Sequence, residues 1–519
     1  MADQAQNYDQ VVKSVTAASR WTELDGQRRS LLNRWEAYSI YTLPYVCPDE
    51  NYQQNTDEMT HDFQAVGAQA VNSLANKIML ALFAPSRPFF KLDPDDDTKK
   101  QLMQVGIDPD ALKDVLASKE LDSVKLLDSK NIRPPMFEVV KSLIVTGNSL
   151  MNLDEDITYT RVRDYVVKRD YYGKVCEIMT RVCLKFEQLT KDVQDSVKAV
   201  NPHRYQPDTA VQVFKWYCVD DSGKFMEMTY WVDDSKLDDS KYMGRWKREE
   251  CPARPLTWAL TSGADYGTGL VEEYAGDFAA LSTMSTSFVQ GSVLASEFRW
   301  LANPAGQTQP EDLRDSSNGA VVPGVKGDIE LISAGQGMGQ TLQMMMNGMD
   351  VYTRRISQGF LMLSGVTRDA ERVTAEEIRM QANELENSLG GAYSRLAIDM
   401  QLPMAHWLLD MQDLSIKGVK MTVSIVTGLN ALSRNGDLDN LNAAVQNIAA
   451  LYQQNPLALR MLKMDAILSD IMSGHGLLAS RYVKTTEEVN AEAAQAQQQM
   501  LQQQAQMNTV DAQTQPQPQ

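Results

Sequence analysis

LVEEYAGDFAALSTMSTSFVQGSVLASEFRWLANPAGQTQP, residues 270–310, passes from one kind of chain to another without a break. Its first part is helical by period, because Tyr274, Phe278, Leu281, Met284 and Phe288 recur every three or four residues. Most of the remaining positions are small: Ala275, Gly276, Ala279, Ala280, Ser282, Ser285, Gly291 and Ala295. Small residues let helices approach closely, which suits repeated packing in a ring and equally an ordinary core helix with a small face. From Phe298 to Gly339 the chain turns rich in Gly, Pro, Asn and Asp, with ANPAGQTQP (302–310) and NGAVVPGVKGD (318–328). Short strands are predicted there around Ala320 and Ile329. Leu342, Met345, Met346, Met349, Tyr352, Ile356 and Phe360 then restore a helical stripe. The methionines at 344–346 and 349 read as soft core packing rather than a metal site. The order is a helix out, a turn-rich β segment and a helix back.

Downstream, the loop LSGVTRDAERV (363–373) leads to a well-marked helix start. Thr374 and Glu377 form an S/T-x-x-E capping box, Val373 and Ile378 can staple it, and Glu376 and Glu377 favour the positive end of the helix dipole. An apolar stripe continues through Leu385, Leu389, Leu396 and Trp407 to about Met411, long for a globular helix. Gly390, Gly391 and Pro403 are the places where it should bend. Two more helices are predicted, about Asp437 to Tyr452 and Pro456 to Met472. Beyond Thr486 the chain is a Gln/Ala tail, with 12 Gln among the last 25 residues and too little hydrophobicity to bury itself.

Upstream, helices are expected around Trp21 to Tyr41, over FQAVGAQAVNSLANKIMLALF (63–83), and from about Pro135 to Val145. Between Asn152 and Ala259 the texture is β-rich, with Tyr172-Gly173 and Asp221-Ser222-Gly223 as hairpin corners. The fold class that follows is mixed α+β, dominated by helix.

At 519 residues, 43% hydrophobic and 23% charged, the chain has the composition of an ordinary soluble globular protein. Its formal charge of −18, from 50 basic and 68 acidic side chains, argues against a tight static grip on DNA. The same charge suits a surface past which phosphates slide, or it simply keeps the protein soluble. Five cysteines with no C-x-x-C spacing read as reduced thiols. No signal peptide and no bilayer-length apolar run is visible, so no membrane association is expected.

Catalytic chemistry is hard to find. The sequence has no G-x-x-x-x-G-K-[ST] phosphate loop, no H-E-x-x-H and no G-x-S-x-G elbow. His61, His203, His406 and His475 are scattered, and metal ligands must cluster. The run Asp93 to Asp97 lacks the glycine and terminal glutamate of a calcium loop. Glu272-Glu273 and Glu376-Glu377 are adjacent on helices and so point apart. No catalytic residue, metal or cofactor is expected.

The order of parts resembles the portal (head-to-tail connector) proteins of short-tailed, podovirus-type tailed phages. Similar wording occurs in FQAVGAQAVNSLANKIMLALF (63–83), VVKRDYYG (166–173), YGTGLVEEYAGD (266–277), NPAGQTQP (303–310), RVTAEEIRMQANELENSLGGAYS (372–394) and TGLNALSRNGDLDNL (427–441). The likeness runs from about Phe63 to Tyr452; the first 60 residues, the Met-rich helix, the region around Lys185 to Thr209 and the tail depart from it. The resemblance implies a portal-type fold. In it, 1–255 would be a wing with a helical and then a β-rich part, 256–297 a stem helix, 298–339 a clip and 340–362 a returning stem helix. Residues 363–373 would be a tunnel loop, 374–430 a long kinked wing helix with its connection, 431–482 a helical crown and 483–519 a disordered Gln-rich tail. It also implies a homo-oligomeric ring, twelve subunits in most members, at the capsid vertex of a virion. Such rings are assembled in the host cytoplasm with scaffold and major capsid protein. Their further partners would be a separate terminase ATPase, tail adaptor proteins and duplex DNA in the channel. By position, Arg368 and Arg372 would touch phosphates in the tunnel, or else pair with Asp369 and Glu371. Lys326 is the clip candidate. A tail-adaptor ring and a DNA-processing virion enzyme are the competing readings.

Overall fold

The computed structural model describes residues 15–50, 52, 56–83, 88–94, 109–200, 204–333, 338–362, 388–389, 391–412 and 421–425. They fall into two compact units, one drawn from Met1–Met79 and Arg133–Arg372, the other from Leu80–Ile132 and Val373–Gln519. In chain order the elements begin with α1 (Ala17–Gln27), α2 (Arg29–Tyr41), α3 (Val66–Leu82), β1 (Phe90–Pro94), α4 (Pro109–Ser129) and α5 (Arg133–Thr146). A β-rich stretch follows: β2 (Asn148–Leu153), β3 (Ile157–Thr160), β4 (Tyr165–Arg169), β5 (Val175–Lys185), then α6 (Lys191–Val200), then β6 (Ala210–Val219), β7 (Phe225–Val232), β8 (Ser235–Leu237), β9 (Gly244–Lys247) and β10 (Ala253–Thr257). Next are α7 (Leu270–Glu273), α8 (Ala275–Ser296), β11 (Phe298–Ala302), α9 (Pro310–Arg314), β12 (Ile329–Ser333) and α10 (Met338–Gly359). The last described elements are α11 (Gly391–Leu396), α12 (Leu402–Asp410) and β13 (Met421–Ile425). The fold is a mixture of helix and sheet.

The first unit is organised by a six-stranded antiparallel sheet in the order β4-β5-β6-β7-β8, with β9 also on β7. The two-residue alternation of its strands sorts side chains onto two faces. Tyr165, Val167, Ile178, Tyr217 and Met226 pack with Leu32 and Trp35 of α2. Val166, Met179, Phe214 and Trp216 pack with Ala17, Trp21 and Leu24 of α1. The two helices thus straddle the edge strand β4, and Arg28 sits at the elbow between them. Its buried guanidinium donates to the carbonyls of Val162 and Tyr165, both at 2.6 Å, and to Asp25 at 2.8 Å. Gly173 (φ +81°) and Gly223 (φ +71°) take left-handed turns at the β4–β5 and β6–β7 corners, where the sequence places them. A smaller sheet runs β10-β2-β3.

A buried ion pair also lies inside this core. Glu177 on β5 is buried beneath α1, where Arg20 donates to both carboxylate oxygens, Nε at 3.1 Å and Nη2 at 2.8 Å. The Trp216 indole N–H donates to the same carboxylate at 2.8 Å. Three donors on a buried carboxylate satisfy it and fix where α1 lies on the sheet.

In the second unit β1 pairs antiparallel with β13, Phe90 opposite Ile425 through Pro94 opposite Met421. The sequence periodicity leaves out α4, and the reason is visible in the structure. Its buried positions include Glu120 and Ser123 beside Leu116, Val124 and Leu127, so the inward stripe is not apolar throughout. The Glu120 carboxylate accepts the Leu92 amide at 2.8 Å, and Ser123 Oγ accepts the Gln412 amide at 2.7 Å. α6 escapes the same reading because only Val193 and Val197 anchor it.

Between α11 and α12 the residues Ala397–Gln401 form a π turn. Pro403 has no amide, and its ring would crowd the carbonyl four residues back in an uninterrupted α-helix; the wider π turn ahead of it relieves that clash. The buried Gln401 side chain donates to the Leu82 carbonyl at the end of α3. Gly391 opens α11, and a Cβ there would meet open space. Gly390, the capping residues Thr374 and Glu377, the helices predicted at 437–452 and 456–472, and the Gln-rich tail lie outside the described residues.

Replacing Glu177 by Ala should strip Arg20 of its buried partner and destabilise the first unit by about 3–5 kcal/mol. Replacing Arg20 by Met and Glu177 by Leu together should cost clearly less than either single change. Urea unfolding followed by tryptophan fluorescence reads both, since Trp21 and Trp216 flank the pair.

Candidate functional site

The excursion that begins at α8 is rooted in a backbone-to-backbone contact. Gly147 (φ +78°) ends α5, and a Cβ there would collide with the backbone of Thr268 and Gly269. Gly267 and Gly269 leave no more room, with Cβ positions 2.7 Å from the Ala259 carbonyl and 2.6 Å from the Gly147 amide respectively. Only glycine permits this approach. Asn148 closes it, accepting the Gly267 amide at 2.7 Å and donating to the Gly267 carbonyl at 2.9 Å. The YGTG of 266–269 therefore has a packing reason.

From that root α8 and α10 run antiparallel as a two-helix hairpin, packed large against small. Gly359 receives the Tyr274 ring, Gly348 the Met284 methyl and Gly291 the Leu342 side chain, positions that step in opposite directions along the two helices. Ser285 Oγ donates to Met349 Sδ at 3.5 Å, and Phe360 lies edge-on to Tyr274 and Phe278. Arg355 and Asp277 approach to 3.6 Å near the root. No charged residue occurs from Phe278 to Ser296 or from Leu331 to Met349. The methionines do not form the core expected of them. Met344 is 74% and Met346 45% exposed, because two helices alone bury only the seam between them. Val289, Val293 and Leu294 are likewise exposed on α8.

At the tip, β11 and β12 pair antiparallel, Phe298 opposite Ser333 through Ala302 opposite Ile329. No strand forms around Ala320. Gly319 takes φ +87°, the Ala320 amide turns back to the Ser317 carbonyl at 3.0 Å, and Pro323 has no amide to give to a ladder. Every side chain of β11 is exposed, Phe298 and Trp300 among them. The loops are tied by Asp328, whose carboxylate accepts the amides of Gln307 at 2.9 Å and Thr308 at 3.0 Å and the Thr308 hydroxyl at 2.9 Å. Thr308 Oγ1 in turn accepts the Val325 amide at 2.8 Å. The Thr308 amide and hydroxyl and the Gln307 amide hold the Asp328 carboxyl below its usual range. Gly306 and Gly324 fit against this knot, a Cβ on either falling within 2.7 Å of Asp328 or Thr308. The sequence reading missed the knot. Its signal, a threonine in one loop and an aspartate in the other, becomes legible only once the strands are paired.

Of the residues singled out from sequence, Lys326 lies exposed on this tip beside Gly327 (φ +104°) and makes no ion pair with a described residue. Arg299 on β11 is similarly exposed. Arg368 and Arg372 fall outside the described residues. Elsewhere in the first unit, a cleft of about 380 Å³ is lined by Arg34, Asp265 and Glu272 among others. Its charges engage each other and their neighbours, Arg34 with Glu272 and Lys168 with Asp265, each at 2.7 Å. Among the described residues no group of His, Cys, Asp and Glu could hold a metal ion, and no helix is long and apolar enough to cross a membrane. Burial pushes the thiols of Cys47 and Cys251 up to about 11, so neither is a thiolate nucleophile at neutral pH.

The sign of the Asp328 shift sets a pH window for the knot. A carboxyl lowered on folding contributes stability above its unfolded value and loses it as pH falls through the lowered one. Hydrogen exchange of the Gln307 and Thr308 amides, corrected for intrinsic rate, should therefore be slow at neutral pH and accelerate only below the usual carboxylate range. In Asp328→Ala it should be fast throughout.

Comparison with known proteins bears on the whole chain. The family model for the bacteriophage head to tail connecting protein matches residues 14–482. The portal protein of Enterobacteria phage T3 is 35% identical over 452 residues, covering 84% of this chain and 82% of that one. The portal protein of Escherichia phage T7 is 33% identical over 504 residues, 93% of this chain and 91% of that one. Among solved structures, the neck of an empty gene transfer agent particle aligns over 73% of this chain and 86% of that one. At 13% identity and a TM-score of 0.33 it is too distant for its details to be transferred. With a family match that takes in both units and relatives alike over most of their length, the chain belongs to the bacteriophage head to tail connecting protein family.

Proposed function

We propose that this chain is a portal subunit, a structural component of a phage particle that forms a ring at the head-to-tail junction and conducts duplex DNA. The observation that carries the reading, beside family membership, is the two-helix hairpin with no charge along most of its length. A channel wall must neither grip phosphates, since each contact would be broken at every step, nor repel them strongly. A sleeve of hydroxyl, amide and thioether groups meets both demands. The apolar side chains left uncovered on both helices support burial against neighbouring copies, because uncharged surface is desolvated at little cost. Ring closure follows when one face of the hairpin meets a different face of the next copy.

In this reading 270–297 and 340–362 are the stem, 298–339 is the clip, and the β11–β12 tip with Lys326 and Arg299 meets terminase and later tail adaptors. Residues 363–373 face the channel, where Arg368 and Arg372 touch the DNA backbone without reading bases. The helix from Thr374, bent between Gly390 and Pro403, belongs to the wing, and residues 431–482 form the crown. Scaffold and major capsid protein meet the ring during assembly in the host cytoplasm, with twelve copies per ring. ATP hydrolysis lies with the terminase, and the subunit itself has no catalytic role.

Negative-stain end views of the purified protein should show closed rings with a hole of about 20 Å or more, the width of duplex DNA; a stable monomer or dimer, even with scaffold added, overturns the assignment. Arg368→Ala combined with Arg372→Ala should leave rings intact and impair packaging or retention of DNA, whereas normal genome length and retention would remove these arginines from the channel. Rings that do not bind terminase would point to a tail adaptor instead.

A further inference from the structure

The end of α10 carries a strained turn held by a buried cation. Leu361 follows the helix with φ +56°, in the left-handed region. The other non-glycine residues described with positive φ are Asn131 and Asp233, types that tolerate that conformation through their short polar side chains; leucine has no such compensation. The turn has the geometry of a Schellman closure, with the Met362 amide donating to the Ser357 carbonyl at 2.8 Å and the Leu361 amide to the Gln358 carbonyl at 3.1 Å. Glycine is the usual occupant of that corner.

Lys77 on α3 meets this turn. It is 6% exposed among the buried Leu74 and Ile78, and its ammonium donates to the Leu361 carbonyl at 2.6 Å. A buried ammonium needs acceptors, and the carbonyl end of a helix supplies both acceptor atoms and the negative end of the dipole. Phe360, fully buried against Tyr274 and Phe278, fixes the helix just before the corner. The chain is therefore clamped by an aromatic anchor on one side of the reversal and an ion-to-carbonyl bond on it.

We infer that Lys77 is a positioning residue: by holding the left-handed Leu361, it sets the direction in which the chain leaves α10 toward residues 363–373. The inference rests on the portal reading, in which those residues face DNA. It assigns Lys77, far away in sequence, to the positioning of that exit, and it accounts for the strain at Leu361, which persists only where the surrounding structure holds it.

Two variants test this in full-length rings: Lys77→Met, and Lys77→Met combined with Leu361→Gly. In Lys77→Met, rings should form normally, but amide exchange over 357–362 should rise about ten-fold, the effect of losing one charged hydrogen bond. Full-length packaged genomes should be lost. Glycine at 361 removes the strain, so the double variant should recover slow exchange and packaging without the ammonium. Unchanged exchange in Lys77→Met, normal packaging despite faster exchange, or no recovery in the double variant each overturns the inference while leaving the portal reading intact. Parent protein that forms no ring, or supports no packaging, overturns the reading beneath it instead.

Discussion

The projecting hairpin depends on a contact in which two stretches of main chain touch with no side chain between them. Gly147 at the end of α5 lies against Gly267 and Gly269, and Asn148 hydrogen-bonds Gly267 on both its amide and its carbonyl. Hydrogen bonds of this kind, buried away from water, are directional and costly to leave unmade. They make the start of α7 and α8 an extension of the sheet-bearing body rather than a flexible attachment. A long lever of two helices transmits position only if its root cannot rotate, and here the root is fixed at backbone precision.

Along the hairpin a second constraint takes over. Two helices bury a single seam, so the seam is made tight by setting Tyr274, Met284 and Leu342 into glycine gaps, and the remaining surface stays open. In most proteins such a surface would carry Lys and Glu for solubility. This one carries Val, Met, Ser, Thr and Gln, while the chain as a whole has a net charge of −18. The charges have been moved off the hairpin to its root and tip, where Asp277, Arg355, Arg299, Lys326 and Asp328 lie. That segregation is a property of residue placement, and it agrees with a part that is covered by like copies and passed by a polyanion.

The segments that resemble portal proteins are held by contacts with identifiable physical causes. YGTG resembles portal-protein wording, and the close approach at Gly147 requires its glycines. NPAGQT resembles the same family, and here the Asp328 carboxylate gathers its Gln307 and Thr308 amides. The methionine cluster went the other way. Its period predicts the helix that forms, but its apolar character predicts burial within the chain, whereas Met344 and Met346 stay exposed.

The sequence by itself determined the elements whose inward stripe is apolar, such as α3, α5, α8 and α10, and the two hairpin corners at Gly173 and Gly223, because period and turn chemistry are local. It also determined that ATP-binding and metal-binding motifs are missing from its text. Only the tertiary structure decided which elements meet. It turned Glu120 and Ser123 of α4 inward, paired β12 with β11 rather than with a strand at Ala320, widened the helix into a π turn before Pro403, and brought Lys77 to Leu361 and Arg20 to Glu177. All but the π turn join residues far apart in the chain, and all act through a polar group, a backbone pairing or a backbone distortion. Hydrophobic periodicity carries no information about either, since a buried charge is favourable only beside a partner that the fold itself must deliver.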